Sequence, residues 1–103
     1  MGNHDVGRAF AAAADVFWGM VPDGVVPSKA ATLKSLEAVG NRYRGADAEF
    51  DDELFDSTTP LGRMVAIAFD AAPEELSPEE DADYNCPWYD GPITRFSKHF
   101  DFC

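Results

Sequence analysis

The sequence predicts a mostly α fold: a small single domain of four or five short helices with an acidic loop, covering residues 1–103. Three observations predict it. Apolar residues recur at spacings of three and four in several segments, the period of a half-buried helix. Those segments open on side chains suited to helix N-termini, among them Ser28, Thr59 and Ser77. A chain of 103 residues also leaves room for one core and not for two.

The first helix is expected over about residues 5–20, where Val6, Phe10, Ala13, Phe17 and Val21 form one apolar stripe. The alanine run 11–14 adds helix propensity, and Asn3 or Asp5 caps the first amides. Pro22-Asp23-Gly24 closes it with turn chemistry. Trp18 lies off the stripe, so it either widens the buried face or stands at a contact surface. Ser28 leads into a second helix over about 29–40, with Leu33, Leu36, Val39 and Tyr43 on its apolar side and Gly40-Asn41 at its exit.

Thr59-Pro60 starts the third helix, with Thr59 as cap and Pro60 at the first helical position. Leu61, Met64, Val65, Ile67, Ala68 and Phe69 make it apolar nearly all round, which predicts the central helix of the core. Ser77-Pro78-Glu79-Glu80 reads as a capping box opening a short acidic helix that ends near Asn85. Gly91-Pro92 starts a last helix in which Ile93, Phe96, Phe100 and Cys103 share a face. The acidic stretch 45–58 reads as a long loop or irregular strand, anchored by Phe50, Leu54 and Phe55. An α+β alternative stays open here, with Val25-Val26 and the 43–56 stretch supplying one small hairpin.

Val, Ile, Leu and Phe make up 22 residues, close to the fraction below which acidic chains stay disordered, while thirteen aromatics favour a folded core. The net charge of −11 is uneven. Residues 1–44 hold four acids and five bases, whereas residues 45–103 hold fifteen acids and only Arg63, Arg95 and Lys98. Such a field repels nucleic acid and anionic membranes and steers basic proteins to the acidic half. Salt adaptation or a GC-rich genome yields a similar composition with no basic partner at all, since charge runs are usually solvated faces.

The acids fall into two clusters. Asp47, Glu49, Asp51, Asp52, Glu53 and Asp56 lie within ten residues, and Asp70, Glu74, Glu75, Glu79, Glu80, Asp81 and Asp83 within fourteen. Two rows of carboxylates on one surface imitate the phosphates of a duplex and occupy a basic groove in its place. All of these acids except Asp70, together with Trp88, are the candidate partner-binding residues. Trp88 sits in the turn Cys86-Pro87-Trp88-Tyr89-Asp90-Gly91, where an aromatic beside acids suits an interface anchor. The bland reading of that tail is that Tyr84, Trp88, Tyr89, Phe96, Phe100 and Phe102 fold back to complete the core.

Other chemistry is weakly supported. Asp81, Asp83 and Asn85 match positions one, three and five of a calcium loop, but Cys86 replaces its glycine and Pro92 its final Glu. His99, Asp101 and Cys103, even with His4, Asp5 and Cys86, lack the paired spacing of zinc ligands. Neither histidine sits in a setting for nucleophilic catalysis, and no glycine-rich phosphate loop is present, so neither a cofactor nor a metal is expected and the chain reads as no enzyme. Asp56-Ser57-Thr58-Thr59-Pro60-Leu61-Gly62-Arg63-Met64-Val65 resembles the segment that opens the long helix of serine recombinases. The Tyr-x-Arg-x-Ser nucleophile motif of that family has no counterpart in residues 1–44, so no role is carried over.

The N-terminus lacks a basic start with an apolar run, and Val6 stands where a myristoylation motif wants Ser or Thr. No apolar stretch is long enough for a bilayer. Two cysteines without a secretory signal read as free thiols, and the expected location is cytoplasmic, the host cytoplasm for a phage-encoded chain. The functional expectation is an acidic inhibitor that occupies the basic nucleic-acid-binding surface of a partner protein, in the manner of a phage anti-defence DNA mimic. The alternative is an assembly subunit of a virion or larger complex that uses its aromatic C-terminal segment.

Overall fold

A computed structural model describes residues 3–46, 48, 50, 52–70, 76–79 and 94–102. Over these the protein is mostly helical: α1 is Asn3–Met20, α2 Lys29–Gly40, α3 Pro60–Ala68 and α4 Arg95–Phe100, with a 3-10 turn at Glu53–Phe55. No strand occurs among the described residues, and Val25 and Val26 are exposed loop residues, so the hairpin alternative finds no place there.

Three of the helices, α2, α3 and α4, start where a side chain satisfies one of the first free amides. The Ser28 hydroxyl accepts the Ala31 N–H at 3.1 Å and opens α2. Thr59 caps α3 by accepting the Gly62 N–H at 3.0 Å, with Pro60 at the position where a missing N–H costs nothing. The last helix begins later than Gly91-Pro92 predicts. Thr94 caps it, accepting the Ser97 N–H at 3.2 Å while its own N–H donates to Ser97 Oγ at 2.8 Å. That reciprocal pair is a capping box with Ser where Glu or Gln is usual. Gly91, Pro92 and Ile93 lie outside the described residues, as does the expected acidic helix beyond Pro78 and Glu79.

Helix ends follow local geometry. After α1, Val25 N–H donates to Pro22 C=O at 3.1 Å, with Gly24 at φ 77° as the turn requires. Gly40 does not supply the left-handed exit expected of it: Asn41 follows in right-handed conformation, donating back to Glu37 and Val39 carbonyls. Gly40 is needed for its lack of a side chain. A Cβ there would stand 1.9 Å from Cδ1 of Phe100.

The core is a cluster of phenylalanines around Phe10. Its ring centroid lies 5.6 Å from Phe50, 5.4 Å from Phe96, 5.5 Å from Phe100 and 5.9 Å from Phe102. Edge-on and tilted arrangements set the positive ring edge against a negative face, and each pair contributes about 0.5–1.5 kcal/mol beyond burial. Val6, Ala14, Leu36, Ala48, Leu54, Leu61, Met64, Val65 and Ala68 complete the cluster. The expected central helix α3 thus buries Leu61, Met64, Val65 and Ala68, while Ile67 and Phe69 are half-buried.

Phe102 is the residue the helical periodicity misses. Asp101 takes φ 56°, a left-handed conformation that ends α4 and turns Phe102 back into the core, where it is fully buried. The same turn is held by the Gly45 N–H, which donates to Asp101 C=O at 2.7 Å. The C-terminal Phe96, Phe100 and Phe102 therefore fold into the interior. Tyr84, Trp88 and Tyr89 lie outside the described residues.

Candidate interaction surface

The acidic loop is built on the start of α3. Thr59 Oγ1 donates toward two carbonyls, Asp56 at 2.8 Å and Glu53 at 3.1 Å, its single proton shared between them. The Thr59 N–H donates to Asp56 C=O at 3.1 Å. Gly62 permits this close approach: a Cβ there would meet Asp56 O at 1.8 Å and Glu53 O at 2.6 Å. Leu54 is buried beneath the loop and Phe50 and Ala48 beside it, while Phe55 is 40% exposed. Phe50 and Leu54 are thus anchors, as expected. Phe55 is not, because the tight 3-10 turn sends adjacent side chains to different sides of the backbone.

The carboxylates of this loop are presented on a fixed backbone. Asp52 is exposed at φ 67°, Glu53 is half-buried, and Asp56 is exposed. Asp56 Oδ1 accepts both the Thr58 N–H at 2.9 Å and the Thr58 hydroxyl at 2.6 Å. The hydroxyl bond first, and the amide bond second, hold its carboxyl below the ordinary aspartate value, against a small opposing effect of burial. Asp56 therefore has a local structural task as well as an exposed charge.

In the second cluster, Asp70 takes φ 64° just after α3 and pairs with Lys29 at the start of α2. That pair tethers two helices and offsets one acid of the cluster, a contact with no signal in the sequence. Glu79 is exposed in the segment 76–79. Of the other expected contact residues, Asp47, Glu49, Asp51, Glu74, Glu75, Glu80, Asp81, Asp83 and Trp88 lie outside the described residues. The loop brings Asp52, Glu53 and Asp56 together. Glu79 belongs to a separate segment.

Trp18 resolves as a clamp between helices. Its indole N–H donates to Pro60 C=O at 2.8 Å, and the Arg63 guanidinium lies 4.2 Å from the ring centroid. The ring is half-buried, so Trp18 widens the packed face of α1. His99 bonds Glu37 Oε1 at 3.2 Å and stacks edge-on to Phe69 and Phe100. Among the described residues no group of three or more His, Cys, Asp or Glu side chains is placed to hold a metal ion. Asp81, Asp83, Asn85, Cys86 and Cys103 lie outside them. Among the described residues, no helix is long and apolar enough to cross a membrane.

These features define a small, mostly helical, acidic domain. Comparison with models of known protein families, with curated proteins and with solved structures finds no match for the chain.

Proposed function

We propose that the protein is a non-enzymatic acidic binding protein that occupies the basic, nucleic-acid-binding surface of a partner protein. One observation carries the reading: fifteen of nineteen acids fall in residues 45–103, and three of them, Asp52, Glu53 and Asp56, sit on a loop braced by Thr59 and Gly62. Carboxylates already fixed in place lose little freedom on binding, so more of their attraction is retained as affinity. A basic groove evolved for phosphates exchanges its counterions for these carboxylates. The setting is the cytoplasm, for a phage-encoded chain that of the host, and the action is inhibition by occupancy, with no bond made or broken.

The test is an affinity capture from host lysate washed in parallel at low and high salt. The expected result is a DNA- or RNA-binding protein retained only at low salt and lost when Asp51, Asp52, Glu79 and Glu80 are changed to their amides. A partner that survives high salt, or is indifferent to those four changes, refutes the proposal. It would favour an assembly subunit with an apolar interface. That reading has less aromatic surface to draw on, since Phe96, Phe100 and Phe102 are buried.

A further inference from the structure

We propose that the outer face of α1 is a self-association surface through which two copies of this chain pair antiparallel about a two-fold axis. Val6, Phe10 and Ala14 are buried, while Asp5, Arg8, Ala12, Asp15, Val16, Gly19 and Met20 are exposed, Val16 by 65% and Met20 by 78%. At 100° per residue the exposed arc has an order. Ala12 and Gly19 run along its centre with Asp5 beside them toward the N-terminus, Arg8 and Asp15 form one flank, and Ala9, Val16 and Met20 form the other. Exposed Val25 and Val26 follow α1 after the turn at Pro22.

That arrangement is self-complementary. When two helices face each other with opposite directions, a two-fold axis sets each flank against the same flank of the other copy. Arg8 and Asp15 are seven residues apart, about 10.5 Å along the helix. With the axis near Ala12, Arg8 of each copy meets Asp15 of the other, giving two reciprocal ion pairs. In the same register Val16 of each copy meets Ala9 of the other on the apolar flank. Ala12 lies at the closest approach, and a Cβ at Gly19 would have nothing within 4 Å, so the two backbones can come near. Among the described residues neither Arg8 nor Asp15 is engaged in an ion pair.

Charge selects a second copy as the occupant. The chain carries −11, so two copies repel each other over most of their surface. α1 lies in the half of the sequence that holds four acids and five bases, so pairing through it sets less like charge together than pairing through residues 45–103 would.

Sedimentation equilibrium of the full chain tests this, with circular dichroism and melting showing that each variant is folded. The expected result is a reversible dimer. Arg8→Asp alone, or Asp15→Arg alone, turns both ion pairs into like-charge contacts and raises the dimer Kd at low salt by roughly fivefold or more. The double exchange restores the pairs in reverse and brings Kd back to within about twofold of the parent. Val16→Ser weakens the dimer at low and high salt alike. A chain that stays monomeric at every concentration overturns the proposal. So does a dimer indifferent to the single reversals, or one the double exchange fails to restore. None of these outcomes depends on whether a basic partner is captured.

Discussion

Replacing Gly40 by Ala adds one methyl group, and the structure predicts that it costs stability where the same change elsewhere gains it. The new Cβ would lie 1.9 Å from Cδ1, 2.2 Å from Cε1 and 2.8 Å from Cγ of Phe100. Carbon atoms in contact normally stand about 3.5–4.0 Å apart, so the ring must retreat by well over 1 Å. It has nowhere to go. Its centroid is 5.5 Å from Phe10, 4.9 Å from Phe96, 5.8 Å from Phe102 and 4.9 Å from His99. Overpacking a filled core costs about 1–3 kcal/mol, and this overlap belongs to the upper part of that range. Removing a helical glycine returns about 0.5–1 kcal/mol through the unfolded chain. The net expectation is a loss of about 1–2 kcal/mol, or roughly 5–15 °C in Tm for a domain of this size. Gly19→Ala is the control: nothing lies within 4 Å of its Cβ, and it should gain about 0.5–1 kcal/mol. Urea unfolding of both variants at low protein concentration, with unchanged m-values, measures the difference. A Gly40→Ala chain as stable as its parent would refute the packing argument. The double variant with Phe100→Leu should recover part of the loss, because the smaller side chain vacates the space.

Phe102→Ala should destabilise the fold by about 3–5 kcal/mol in the same assay, as expected for a fully buried aromatic; a cost below about 1 kcal/mol would mean that Phe102 does not pack in the core. Thr59→Val keeps the side chain's shape but strands the Gly62 N–H and takes one of two hydrogen bonds from each of the Glu53 and Asp56 carbonyls, for a loss of about 1–2 kcal/mol and faster amide exchange at Gly62. Asp56 supplies the pH dependence: its folded carboxyl is held below the ordinary value by the Thr58 bonds. Its contribution is therefore present above the unfolded pKa and lost as pH falls through the lower folded one. An NMR titration should place its midpoint below the ordinary aspartate value, and Asp56→Asn should remove that part of the acid destabilisation; a midpoint at or above the ordinary value contradicts the loop geometry.

The helices whose capping chemistry is local were legible. Ser28 and Thr59-Pro60 mark α2 and α3 at their observed starts. The stripe through Val6, Phe10 and Phe17 identifies α1, although Ala14 takes the buried place ahead of Ala13. What was not legible depends on backbone angles or on partners far along the chain. Phe102 is buried only because Asp101 adopts φ 56°, which no periodicity announces. Gly40 looked like an exit residue because glycine is common there, yet its neighbour across the core, Phe100, decides its role. The Thr94–Ser97 box carries no familiar signature because Ser stands in for the usual acid. For the candidate surface, the sequence marked the charge of Asp52, Glu53, Asp56 and Glu79. It held no trace of the Thr59 bridge that braces the loop, nor of the Lys29–Asp70 pair.

The ring cluster around Phe10 has a bearing on how the chain is made. Its neighbours at 96, 100 and 102 come late in synthesis, separated from it by most of the chain. At about 5–20 residues per second, the ribosome takes roughly 4–17 s to travel from Phe10 to Phe96. During that interval the apolar stripe of the first helix has none of its C-terminal covers. The fourteen acids made between residue 45 and Phe96 give newborn chains a like charge that holds them apart until Phe96, Phe100 and Phe102 arrive.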